Sequence, residues 1–225
     1  MMYLLDTANV EKIEQFVKTY PIDGITTNPT IISKENTNFV DLVKKIKSII
    51  GDRMLHIQVT STNYDGIIEE AKALKQLVGE NLYVKIPISS DGLKATMKLK
   101  EMGFHVTETA IFTQQQALIA AKAGADFVAP YVNRIDNIIM DGTLIVKEIA
   151  ELFKIHNLNC KILAASFKNA EQVHKVSMVG GNAATLSPDI FEMLVNHPLT
   201  DTALEMFKND WKNVYGDKNI TELCE

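Results

Sequence analysis

The 225-residue sequence predicts an α/β fold, a single (β/α)8 TIM barrel with an extra C-terminal helix. Short β-branched runs alternate with amphipathic helical stretches from one end of the chain to the other. The alternation completes eight times, at roughly 25 residues per unit, which is the bookkeeping of a closed barrel. No glycine-rich dinucleotide turn follows any of the runs, which favours closure over a doubly wound open sheet, although periodicity alone admits both.

The strands are expected at Tyr3–Thr7, Gly24–Asn28, Leu55–Thr60, Leu82–Pro87, His105–Ala110, Phe127–Val132, Lys161–Ser166 and Ala183–Ser187. Helical spacing of apolar residues marks Val10–Thr19, Phe39–Ile50, Tyr64–Val78, Gly92–Met102, Gln114–Ala123 and Leu144–His156 between them. No Pro/Gly/Ser linker divides the chain, so residues 1–198 are assigned to the barrel and residues 199–225 to a helical tail. The tail carries Phe207, Trp211 and Val214 at helical spacing. That apolar stripe needs a surface to cover it, either the chain's own barrel or a neighbouring subunit.

Composition narrows the partners. Hydrophobic residues make up 46% and charged residues 23%, an ordinary globular balance. A net charge of −5 argues against nucleic acid or a membrane surface, both anionic, but leaves room for a small phosphorylated ligand at a local cationic spot. The longest apolar runs are strand-sized, so no transmembrane helix is expected, and the N-terminal residues do not read as an export signal. Two cysteines make no disulfide framework, which points to a reducing cytoplasm.

The ends of the expected strands carry polar residues in register. Asp6, Thr27 and Asn28, Gln58, Lys85, Thr109, Tyr131, Ser166 and Ser187 fall there in strand order. A buried parallel strand should read as nearly continuous apolar residues, because an unsatisfied polar group inside it costs free energy. In a parallel barrel these positions converge at the C-terminal mouth, where barrel enzymes keep their chemistry. For Thr27, Asn28 and Ser187, capping of the following helix is the competing use.

Lys85 is the sharpest member of the ring. It sits inside Leu-Tyr-Val-Lys-Ile-Pro-Ile, whereas nearly all of the other lysines fall on polar helix faces or in loops. An ammonium held among apolar neighbours is desolvated, and its pKa falls. The neutral amine is the nucleophile that carbonyl chemistry needs, since attack on a ketone and loss of water give an iminium electron sink. Snorkelling from a strand end, or a structural pair with Asp6, is the alternative. Arginine usage adds a second clue, because only Arg53 and Arg134 are present against 21 lysines. Arg134, just past the sixth strand, suits bidentate recognition of a phosphate, with Ser166 and Lys168 able to complete the site after the seventh. A surface pair with Asp136 is the alternative. No Walker loop and no H-E-x-x-H occurs, and the five histidines lack metal-ligand spacing, so neither metal nor cofactor is expected. His56 and His105 lie near strand starts and are assigned to the stability face of the barrel.

The stretches LLDTANVEKI, DGITTNPTII, LYVKIPISSDGLKA, VAPYVNRIDN and ILAASFKN together resemble the small transaldolase-like proteins, and most closely the fructose-6-phosphate aldolases within them. The likeness runs from Tyr3 to about Trp211 in the expected order. It implies a class I aldolase acting on a sugar phosphate and dihydroxyacetone. It also implies a homo-oligomer, a decamer of two stacked pentamers, whose C-terminal helix reaches a neighbour. By the same resemblance Lys85 forms the Schiff base, Asp6 handles the hydroxyl at the bond being broken, and Asn28 holds the donor. Gln58, Thr109 and Tyr131 position a catalytic water, and Arg134, Ser166 and Lys168 hold the phosphate. Transaldolases of the group carry glutamate and phenylalanine at the positions of Gln58 and Tyr131, so the Gln/Tyr pair points to aldolase, with transaldolase the runner-up and a silent sugar-phosphate-binding barrel the alternative of another class. Thr107 and Glu108 differ from the aldolase pattern, and Glu108 is expected to add a carboxylate near the mouth.

Overall fold

A computed structural model of the chain describes residues 1–224. Eight parallel strands pair in sequence order and β8 returns to hydrogen-bond with β1, closing the barrel. They are β1 (Met2–Asp6), β2 (Gly24–Thr26), β3 (Met54–Gln58), β4 (Leu82–Pro87), β5 (His105–Ile111), β6 (Phe127–Pro130), β7 (Lys161–Ala164) and β8 (Ala183–Leu186). The helices up to β5 are α1 (Val10–Thr19), α2 (Pro29–Lys34), α3 (Phe39–Ile50), α4 (Tyr64–Val78) and α5 (Ser90–Glu101). Those after it are α6 (Gln114–Lys122), α7 (Val132–Asp136), α8 (Gly142–Ile155), α9 (Ala170–Met178), α10 (Pro188–Val195), α11 (Pro198–Tyr215) and α12 (Ile220–Leu223).

Helix starts follow local chemistry. Asn9, Asn38, Asn63 and Asn169 each turn a side-chain oxygen onto an orphan amide of the first turn, and Thr113 closes a reciprocal capping box with Gln116. The helices α9 and α10 complete the eight expected β/α units, whereas α2 and α7 are additional short helices at the ends of β2 and β6. Several strands accordingly stop earlier than the β-branched runs do. Asn28 leaves the ladder to cap α2, and Ser166 leaves β7 with φ at 64°.

Alternate strand residues face the barrel interior, and the register brings them to shared levels. At the floor, Leu4, Phe127, Leu163 and Ala183 pack together, with Met2, Met54 and Tyr83 against them. Gly24 belongs to this level, and a Cβ there would lie 2.6 Å from the Met54 carbonyl oxygen. Above the floor comes a belt of hydroxyls and one imidazole. Thr26 Oγ1 donates to Asp6 Oδ1 at 2.6 Å and lies 2.6 Å from Thr185 Oγ1. Since Thr26 has one hydroxyl hydrogen and spends it on the carboxylate, Thr185 is the donor of the second bond.

His56 departs from the sequence reading. It occupies the middle of β3 and is fully buried, stacked on Tyr83 with ring centroids 4.6 Å apart and bonded through Nδ1 to Thr107 Oγ1 at 3.0 Å. His105 does open β5, and it continues the stack on the other face of Tyr83. Burial, Lys85 and His105 all disfavour charge on His56, in that order, and hold its pKa well below the ordinary histidine value. Arg53 is structural, bonding the carbonyls of Ile22 and Ile50.

The chain divides into two compact units, Met1–Phe191 and the segment from Glu192 onward. Within the second unit, α11 buries none of its residues, and Phe207 and Val214 are 60% and 72% exposed. Trp211 packs against Tyr215 with the rings tilted at 41° and donates its indole N–H to the Lys218 carbonyl. Among the described residues no helix is long and apolar enough to cross a membrane.

Gly24→Ala is expected to destabilise the protein by about 1–3 kcal/mol, because the added methyl meets backbone rather than a movable side chain. Urea denaturation reads this as a lower midpoint, and an unchanged midpoint would refute the close approach of β2 to β3.

Candidate active site

The C-terminal ends of β1 to β7 and the segments that follow them carry Asp6, Asn28, Gln58, Lys85, Thr109, Tyr131, Arg134, Ser166 and Lys168. Lys85 lies in β4 with 5% of its surface exposed. Its amine donates to the Thr27 carbonyl at 2.8 Å. Thr27 is held for this by two bonds to the His56 carbonyl, from its amide at 2.9 Å and its hydroxyl at 3.2 Å. Burial lowers the pKa of Lys85, and the charge of Asp6 opposes that in part. Among the described residues no carboxylate lies within 4.0 Å of Lys85 Nζ, so the structural ion pair with Asp6 does not form. Snorkelling does not describe it either, since the residue is enclosed.

Around this amine stand groups that donate, accept or carry water. Asp6, half-buried at the end of β1, is oriented by the relay from Thr185 through Thr26. Gln58 is the register partner of Lys85 on β3, and among the described residues its side-chain amide makes no protein hydrogen bond. Thr109 Oγ1 lies 3.2 Å from Tyr131 OH, across the ends of β5 and β6. Phe112 packs its ring edge-on against Tyr131, which fixes the plane of the phenol. Asn28 does cap α2 through Oδ1, and its amide nitrogen remains available to a ligand.

A cationic group adjoins them. Arg134, exposed on α7, places its guanidinium 4.9 Å from the centre of the Tyr131 ring. The proposed ion pair with Asp136 does not form, because Asp136 accepts from Gln172 Nε2 at 2.6 Å and from the Gly142 amide at 2.8 Å. Ser166, in the left-handed region, accepts the Asn133 amide on its carbonyl at 2.9 Å. That bond stitches the loop after β7 to α7 and brings Ser166 next to the arginine helix. Lys168 follows, exposed, with its amide bonded to Gln172 Oε1.

Glu108 corrects the sequence reading. Thr107 and Thr109 face inward, to His56 and Tyr131, so the residue between them faces outward. Its Oε1 accepts from Thr96 of α5 at 2.6 Å, in the layer between barrel and helices rather than at the mouth. Two residues that sequence reasoning missed are Thr26 and Thr185, which orient Asp6. Their signal was a threonine one step below a polar strand end, and threonine is too ordinary in strands to stand out.

Comparisons with known proteins identify the family. The family model described as Transaldolase/Fructose-6-phosphate aldolase matches residues 3–222. A protein of Streptococcus pneumoniae named "Probable fructose-6-phosphate aldolase" is 36% identical over 98% of this chain and 100% of its own length. Proteins named "Probable transaldolase" from Desulforapulum autotrophicum and Nitrosopumilus maritimus are 39% and 40% identical, over 94% and 95% of this chain and 98% and 96% of theirs. A solved structure titled "Native KDPGal structure" shares the fold with a TM-score of 0.60 at 14% identity, covering 84% of this chain and 82% of its own. The chain therefore belongs to the transaldolase/fructose-6-phosphate aldolase family.

Proposed function

We propose that this chain is a class I aldolase that cleaves fructose 6-phosphate reversibly to dihydroxyacetone and glyceraldehyde 3-phosphate through a Schiff base on Lys85. The observation that carries the reading is the enclosed Lys85 amine, with one N–H held by the Thr27 carbonyl and its pKa lowered by burial. A neutral amine so held keeps its lone pair for the C2 carbonyl of the ketose. Attack gives a carbinolamine, and loss of its hydroxyl as water gives the iminium. Asp6 then takes the proton of the C4 hydroxyl as the C3–C4 bond breaks. The bonding pair moves into the enamine, and glyceraldehyde 3-phosphate leaves. A proton from water held by Gln58, Thr109 and Tyr131 returns to C3, and hydrolysis of the iminium frees dihydroxyacetone and the amine. Asn28 holds the hydroxyls of the donor, and Arg134, Ser166 and Lys168 hold the phosphate.

The Tyr131 hydroxyl beside Thr109 supports release of the three-carbon unit to water. Transaldolase is the second reading, favoured by the relatives that carry that name, and would pass the unit to an aldehyde instead. We also propose that the protein works in the cytoplasm as a homo-oligomer, a decamer of two pentamers, in which α11 packs on a neighbouring subunit. The uncovered apolar residues of α11 support this, since a stripe of that kind is unfavourable in water.

Borohydride reduction in the presence of dihydroxyacetone is expected to leave a mass adduct on Lys85, and fructose 6-phosphate alone should release free dihydroxyacetone. Strict dependence on added erythrose 4-phosphate would replace aldolase by transaldolase. Lys85→Ala should abolish turnover, and activity within about tenfold of wild type, only some 1.4 kcal/mol of barrier, would contradict the covalent route. Arg134→Ala should raise KM for phosphorylated substrates by the equivalent of about 1.5–3 kcal/mol. An equal loss with unphosphorylated aldehydes would count against a phosphate role. Phe207→Asp should lower the mass measured by light scattering, and an unchanged mass would remove α11 from the subunit contact.

A further inference from the structure

Outside the site just described, the least expected group is the Glu108 carboxyl. It is 0% exposed in the layer between β5 and α5. Among the described residues its only bond is the one from the Thr96 hydroxyl to Oε1, and Oε2 is buried without a partner. A carboxylate with one neutral donor in an apolar slot is poorly supported, because a buried charge needs a counter-charge or several donors. None faces it. The outward register partners of Glu108 on β4 and β6 are Ile86 and Val128. The buried residues of α5 besides Thr96 are glycine, alanine and leucine, and those of α6 are alanines. Lys100, near the end of α5, is engaged with Asp126 at 2.7 Å. Cys160, ahead of β7, is held neutral by burial and by the charges of Asp126 and Glu108, with its thiol pushed up to about 12.

The backbone next to this carboxyl is irregular. The β5–β6 register shifts between Glu108 and Ile111, and Ala110 stands in the left-handed region at φ 56°. Between these two points sits Thr109, whose hydroxyl touches Tyr131. On the β4 side the ladder runs unbroken through Ile86–Glu108 and Pro87–Thr109, which ties the two residues together, while toward β6 the bulge leaves Thr109 less restrained, so a displacement of Glu108 is passed to it on that side.

We propose that Glu108 is a proton-dependent positioning residue for the Thr109–Tyr131 pair. With its proton in place the acid lies quietly against Thr96 and the bulge holds Thr109 under Tyr131. Ionised, it seeks water, turns out of the slot and swings Thr109 away, slowing turnover without altering phosphate binding. Burial, with Thr96 opposing it, places the Glu108 titration at about 7. The proposal rests on the lysine-based aldolase reading, in which Thr109 and Tyr131 handle the catalytic water.

The test compares wild type, Glu108→Gln and Thr96→Val as intact oligomers, with kcat and KM measured between about pH 6 and 8, around the point where a single such group changes charge. Wild-type kcat should fall by about fivefold across this range, because the ionised form is slower by about tenfold, the equivalent of one lost hydrogen bond, and the titration is not complete at either end, with KM nearly constant. In Glu108→Gln, whose amide cannot ionise, that fall should vanish. In Thr96→Val it should move to higher pH, because the bond that favours the charged form is gone. An alkaline fall of the same midpoint in all three proteins, or none in wild type, overturns the proposal. Thermal unfolding supplies a second readout that does not need activity. A folded-state pKa raised above the ordinary 4.5 means that stability is greatest below that value and is lost as pH rises to about 7. Wild type should show that loss and Glu108→Gln should not, and equal curves would overturn the proposal even for an inactive variant. Borohydride trapping on wild-type Lys85 separates the two ideas. Absence of an adduct removes the aldolase reading, whereas an adduct with pH-independent kinetics removes only the role of Glu108.

Discussion

The site depends on keeping water away from one nitrogen. Enclosing the Lys85 amine inside a closed ring of strands makes its cation expensive, and a single carbonyl partner does not repay the lost hydration. That carbonyl belongs to Thr27, which is clamped twice to β3. The chemistry of the amine is therefore set by the pairing of β2 with β3. An open sheet would leave one flank of the lysine wet and return it to an ordinary ammonium.

The barrel interior is graded from floor to mouth, and each level serves the next. Apolar side chains fill the bottom. The belt above spends its polar atoms on one another, with Thr185, Thr26 and Asp6 in one chain and His56 with Thr107 in another. His56 contributes by staying uncharged, since a cation beneath Lys85 would alter the local field that the amine feels. Within the belt His56 Nε2 is the exception, buried without a partner among the described residues, whereas at the top Gln58 and Asn28 keep polar atoms free for a ligand. Tyr131 joins the two halves of the mouth, touching Thr109 on one side and lying beneath Arg134 on the other.

What could be read from the sequence was whatever broke a pattern. Lys85 interrupts an apolar run, and Arg134 is one of two arginines, so both stood out. Helices α1, α3 and α4 showed their full extent because each is long enough to display its period. Short α2 and α7 span too few residues for any period, and they absorbed polar residues that had been read as strand ends. Thr26 and Thr185 stayed hidden because a threonine in a strand is unremarked until its partners are known. The suggested pair of Arg134 with Asp136 fails on elementary grounds, since residues two apart on a helix do not share a face. Glu108 was misplaced because nearness to a strand end says nothing about which side a residue takes. Parity with inward-facing Thr109 decides that, and it sends the carboxylate outward.

The bond between Thr185 and Thr26 joins residues 159 positions apart, and through it Asp6 gains its orientation. An aspartate at the end of β1 thus waits for β8, the last strand of the barrel, before it is held in place. Until β8 arrives, β1 and β7 are raw edges, open to pairing with other chains. The same event that seals those edges also completes the aspartate's support, so a nascent polypeptide lacks a fixed Asp6 carboxylate for as long as it is vulnerable to aggregation.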